Sequence, residues 1–154
     1  MKTQSKKSFS CWLLIILHCL LGVGAILGGG GLIISPKGDL LHMPLSLLQN
    51  TPFHSFLLPG FLLFIFLGIL PLMVVIYLIT EKPCKTAELF NIYKDFKWSW
   101  TYSFYIGVIL IIWITIEAYL IHSFVFVHVA YIFLGLSIQI VTLLPSVKQN
   151  YTLK

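Results

Sequence analysis
The chain has 154 residues, 58% of them hydrophobic and only 10% charged, with five acidic residues, ten lysines and no arginine. Its mean hydropathy is +0.96. A soluble domain carries roughly a quarter charged residues, and a water-soluble fold of this length has no way to hide so much apolar surface, so lipid must be part of its solvent. The net charge of +5 comes from lysines scattered through short polar segments. Without arginine forks to read bases, this pattern speaks against a nucleic-acid partner and for the lipid bilayer and its anionic headgroups.

Taken in chain order, the sequence predicts four transmembrane helices, at about residues 10–34, 57–79, 101–121 and 125–145, each long enough to cross about 30 Å of hydrocarbon. The first follows the basic leader KTQSKK and runs on through Gly31 to Ile34 with no small-x-small cleavage site before a polar region. It therefore reads as an uncleaved signal anchor. The outer loop, residues 35–56, opens with a Pro-Lys-Gly-Asp turn and then becomes apolar, and Pro44 is placed to start a short helix through Gln49. Pro71 predicts a kink in the second helix. The inner loop, residues 80–100, is expected to rest on the membrane surface through Leu89, Tyr93 and Phe96, with lysines around them.

Direction follows from the lysines. Lys2, Lys6 and Lys7 lie in the leader, Lys82, Lys85, Lys94 and Lys97 in the inner loop, and Lys148 and Lys154 in the tail, against Lys37 alone in the outer loop. Such a bias places both termini and the inner loop in the cytoplasm. Trp12, Tyr77, Trp98, Trp100 and Tyr102 are expected as aromatic anchors at that interface. The expected fold is an all-α membrane protein, one domain over residues 1–154, built as an up-down bundle of four transmembrane helices.

The runs GAILGGGGLIISPKGDLLHMPLSLLQNTPFHSFLLPGFLLFIFLG and WSWTYSFYIGVILIIWITIEAYLI resemble a family of small four-helix bacterial integral membrane proteins. The shared features are a glycine-rich first helix, a Pro-x-Gly turn, a PF…PG entry to the second helix and a Trp-Ile start to the polar part of the third. The resemblance implies this architecture and a bacterial plasma membrane. It implies no catalytic residues, because no biochemical activity is assigned to that family.

Glu117 is the outlier, a carboxyl group inside a membrane helix, where an acid costs about 2.5–3.5 kcal/mol. It lies about as far before the turn at residues 122–123 as His128 lies after it. The two are therefore expected at similar depth, and they hydrogen-bond or pair if their helix faces meet. His128, Tyr131, Gly135, Gln139 and Thr142 recur at steps of three or four and form one polar stripe on the fourth helix. Cys11, Ile15, His18, Gly22 and Gly29 share a face of the first helix by the same rule, and His18 is placed to meet Gln139 if those helices are neighbours. Gly24 and Gly28 form a small-xxx-small pair suited to close helix packing, a better reading than a phosphate loop because no strand precedes it.

The remaining constellations are weaker. Asp39, His42 and His54 match no established metal spacing. Cys11, Cys19 and Cys84 form no CxxC or zinc pattern, and Cys11 and Cys19 stand about two helical turns apart, too far for a bridge. No cofactor or metal is expected, and no nucleophile–base pair argues for an enzyme. Two functional readings remain open. In one, the chain is a non-enzymatic scaffold that associates with itself or with another membrane protein through its glycine-rich face. In the other, it binds or transports a small solute, with or without proton coupling, in a cavity lined by Glu117, His128, Tyr131, Gln139 and His18.

Overall fold
The computed structural model describes residues 7–153. Lys2, Lys6 and Lys154, which enter the lysine bias, lie outside the described residues. Four helices are long and apolar enough to cross a membrane: α1 (Phe9–Ile34), α2 (Leu57–Thr80), α3 (Trp98–Leu120) and α4 (Phe126–Leu143). Their bounds fall close to those expected. The third starts earlier because Trp98 and Trp100 are buried in the core rather than left in the loop. Among the described residues no β-strand occurs; a single antiparallel bridge joins Phe96 to Thr152. Outward-facing Leu20, Leu27, Phe66, Ile76, Ile112 and Phe133 leave the long helices apolar on their exposed faces, as a lipid solvent requires.

Each long helix packs against its sequence neighbour, and α4 also contacts α1. The closest packing joins α1 to α2. A side chain at Gly22 would stand 2.6 Å from Leu72 Cγ, and one at Gly29 would stand 2.8 Å from both the Gly60 carbonyl oxygen and the Phe64 nitrogen. Gly68 approaches Ile26 in the same way. The expected pair Gly24 and Gly28 does not carry this contact. Gly24 faces the Tyr131 hydroxyl of α4, and Gly28 meets only Leu63 at an ordinary 3.7 Å. The reason is rotation about the helix axis: the face shared by Cys11, Ile15, His18, Gly22 and Gly29 is the one buried in the bundle.

Pro71 acts through the backbone before it. Lacking an N–H, it leaves the carbonyl four residues back without its helical donor, and Leu63–Ile69 is wound as a π-helix just upstream. The loop after α1 turns at Gly38, whose φ of 85° suits glycine. A short 3-10 helix over Leu45–Leu48 follows Pro44, and Leu48 packs with Phe56 and Leu32 to close one end of the bundle.

The opposite end is tied by polar contacts that sequence reasoning missed. Lys7 and Lys97 each bond one oxygen of the Glu81 carboxylate. Both ammonium groups also stand over the Tyr151 ring, at 5.4 and 6.0 Å from its centroid. The Tyr151 hydroxyl donates to the Leu78 carbonyl at 2.9 Å, and the Lys97 N–H donates to the Tyr151 carbonyl at 2.8 Å. The helix Pro145–Tyr151 is thereby held against α2 and the 80–97 segment. Trp98 and Trp100, expected as interface anchors, are interior here, with the Trp100 indole N–H donating to the Thr142 carbonyl at 2.8 Å. Trp12 remains exposed. Leu89, Phe90 and Ile92 project outward from the same loop, while Phe96 stacks on Trp100 with ring centroids 4.2 Å apart.

Burial by itself raises the pKa of the Glu81 carboxyl, but hydrogen bonds and charge from Lys7 and Lys97 outweigh it and hold the group below its ordinary range. A carboxyl depressed in the folded state adds stability above its unfolded pKa, and that stability is lost as pH falls through the folded value. Glu81→Gln is therefore expected to melt below the unaltered chain at neutral pH, with the gap closing below about pH 4. Melting curves in detergent across that range check it. A gap that persists unchanged in acid would show that the pairs contribute nothing.

Candidate functional site
Glu117 is the single acidic residue in the four long helices, and those helices contain no lysine. It sits one turn before the end of α3 and is half-buried. There it opens onto a cavity of about 190 Å³ that residues of all four helices line, among them Gly24, Leu63, Trp113, His128 and Tyr131. A second cavity, of about 230 Å³, lies between α2, α3 and the folded loop, walled by Leu48, Phe53, Phe56, Leu62, Ile116 and Leu120. The two share Leu32, Met43, Leu63, Trp113 and Glu117. Glu117 thus stands at the boundary between a chamber with polar groups and one with almost none.

The polar chamber is built from local rules. His128 lies in the first turn of α4, where its backbone N–H donates to the Val125 carbonyl at 2.9 Å and its Nδ1 accepts the Val125 N–H at 3.0 Å. This is the reciprocal half of a capping box, with imidazole in the place of a carboxylate. Because Nδ1 accepts, any proton on the neutral ring is at Nε2. Tyr131 reaches in over Gly24, where a Cβ would stand 2.8 Å from its hydroxyl oxygen. The Trp113 indole N–H is buried without an acceptor in hydrogen-bonding geometry.

Three of the five expected site residues therefore line one cavity, and two do not. No hydrogen bond or ion pair joins Glu117 to His128 among the described residues; the Nδ1 of His128 is engaged as a cap. His18 and Gln139 do not bond each other either. The Nδ1 of His18 bonds the Leu14 carbonyl one turn back at 2.9 Å, with its Nε2 buried and unpartnered. The Gln139 amide donates across to the Phe104 carbonyl of α3 at 2.7 Å, through the gap left by Gly107. The polar stripe on α4 is thus shared between two neighbours, Tyr131 toward α1 and Gln139 toward α3. Trp113 is the site residue that sequence reasoning missed. Its position one turn before Glu117 is the signal that marks it.

Asp39, His42 and His54 do not assemble; among the described residues no three His, Cys, Asp or Glu side chains gather as a metal site. Cys11, Cys19 and Cys84 are free thiols, with Cys11 buried beside the Ser8 cap of α1. Compared with family models, with curated proteins and with solved structures, the chain matches none.

Proposed function
We propose that this chain is a multi-pass plasma-membrane protein, an up-down bundle with both termini in the cytoplasm, that binds a small ligand at Glu117. The lysine bias supports the orientation, and the resemblance to small bacterial four-helix proteins supports the membrane. The observation that carries the ligand reading is a lone intramembrane carboxyl group that lines two cavities and makes no hydrogen bond or ion pair among the described residues. As the one acid in the four spans, Glu117 is also the group through which proton-coupled movement of the ligand would run. The scaffold reading is weaker because the glycine-rich face is spent inside the chain, with Gly22 and Gly29 on α2 and Gly24 on α4. Association with a second copy or another membrane protein would use another face.

Leu62 walls the apolar chamber and not the polar one, so Leu62→Trp reduces the space for an apolar body and leaves the carboxyl group in place. The full chain in phosphatidylcholine nanodiscs is expected to bind 1-hexanol saturably above empty nanodiscs, as saturation-transfer NMR measures. Leu62→Trp is expected to weaken that binding at least tenfold. Equal binding by both proteins, or none by either, would overturn the ligand reading and favour the scaffold.

A further inference from the structure
The two cavities around Glu117 differ in chemistry, and together they select a class of ligand. We infer that the site takes a monovalent organic cation with a short apolar body, its charge at Glu117 and its body under the loop that closes the bundle. This inference rests on the ligand reading above.

Charge is the first selector. The four spans hold no lysine or arginine, and only His18 and His128 are basic within them. His18 is wholly buried and does not line either chamber. The Nδ1 of His128 is taken up by the Val125 N–H, and no hydrogen bond or ion pair joins the ring to Glu117 among the described residues. Lys37, Asp39 and His42 of the overlying loop are exposed and line neither chamber. Among the described residues no cationic side chain forms an ion pair with Glu117, and a ligand that brings a cation supplies one. An anionic ligand would bring like charge beside an ionised Glu117.

Shape and polarity are the second selector. Trp113 and Tyr131 line the same cavity as the carboxyl group, and aromatic rings are groups on which ammonium ions are held. The adjoining chamber is walled by leucine, isoleucine and phenylalanine, and its one hydroxyl, on Thr51, is already bonded to the Leu48 carbonyl at 3.0 Å. It offers an apolar body nothing but contact. Its volume of about 230 Å³ exceeds the roughly 150 Å³ that holds benzene in an engineered apolar cavity, so a hexyl-sized body is accommodated and a sterol is not. An inorganic cation would need several oxygen ligands, and a single carboxyl group does not supply them.

The test compares three probes that share a six-carbon body: hexyltrimethylammonium, 1-hexanol and hexanoate. Binding to the full chain is measured in phosphatidylcholine nanodiscs, whose lipid carries no net charge, with empty nanodiscs as the blank. The ammonium is expected to bind at least tenfold more tightly than the alcohol, and hexanoate more weakly than either. Glu117→Gln is expected to abolish the preference for the cation, bringing the ammonium and alcohol affinities within about threefold of each other. Equal affinity of alcohol and ammonium for the unaltered chain, tightest binding of hexanoate, or a cation preference that survives in Glu117→Gln would each overturn the inference. The probe comparison on the unaltered chain needs no variant to fold. Saturable alcohol binding without a cation preference would remove the inference and leave the ligand reading standing, whereas no binding by any probe would remove both.

Discussion
Gly29→Leu is expected to prevent assembly of the bundle, and Gly29→Ala to lower its stability by about 1–3 kcal/mol. The Cβ of either residue would stand 2.8 Å from the Gly60 carbonyl oxygen and 2.8 Å from the Phe64 nitrogen, both backbone atoms of α2. Backbone cannot rotate away as a side-chain tip can, so α1 and α2 must separate. Gly60 reinforces the constraint from the other side, since its own Cβ would lie 2.8 Å from that of Leu32. In a membrane, where no hydrophobic force drives helices together, losing such an approach forfeits much of what holds the pair. The control is one residue away. Gly28→Ala meets only Leu63 at 3.7 Å and gains helix propensity, so it is expected to be neutral or stabilising by up to about 1 kcal/mol. Thermal unfolding of each variant in detergent, followed by size-exclusion chromatography, checks the contrast. Equal losses at positions 28 and 29 would show that the α1–α2 seam does not run where we place it.

Asn91→Ala is expected to cost about 2–4 kcal/mol, because it strands more than one buried polar group, each worth roughly 1–3 kcal/mol when left unpaired. Asn91 is 1% exposed. Its amide donates to the Glu88 carboxylate at 2.9 Å and to the Phe96 carbonyl at 3.0 Å, and its carbonyl oxygen accepts from the Thr101 hydroxyl at 2.6 Å. One side chain thus links the loop after α2 to the first turn of α3. Asn91→Asp is expected to be at least as damaging, because it replaces two donated bonds with a carboxylate facing the Glu88 carboxylate and a carbonyl. The loop contributes aromatic contacts to the same end, including Phe96 on Trp100, so limited proteolysis within residues 82–97 should accelerate along with the fall in melting temperature. A melting temperature within a degree of the unaltered chain would remove Asn91 from its place as a hub.

What could be read from sequence follows from how lipid acts as a solvent. Apolar runs of some twenty residues are demanded by the bilayer whatever the packing, so the four spans were visible with bounds close to those observed. Glu117 was visible for the same reason, as the one acid where acids are costly. The inward face of α1, with Cys11, His18, Gly22 and Gly29, was legible from helical periodicity. So was the inward stripe of α4 from His128 to Thr142, which the structure buries or half-buries throughout.

Partners were not legible, because they depend on the rotation of each helix and on groups far apart in the chain. Gly24 and Gly28 had the right spacing and the wrong side of α1. His128 caps its own helix behind Val125, which carries no polar side chain to announce a cap, and so its Nδ1 was unavailable to Glu117. Gln139 found the bare backbone at Gly107 instead of His18. Lys7 and Glu81 are 74 positions apart, and Tyr151, which covers both lysines, lies near the far end of the chain, with no periodic signal between them. The sequence by itself determined which segments belong in lipid and which residue is anomalous there. Only the tertiary structure decided what that anomaly faces: two chambers, one with a few polar groups and one with almost none, that meet at one carboxyl group. The physical reason is that solvent preference is a property of each segment alone, whereas a cavity exists only where several helices fail to fill the space between them.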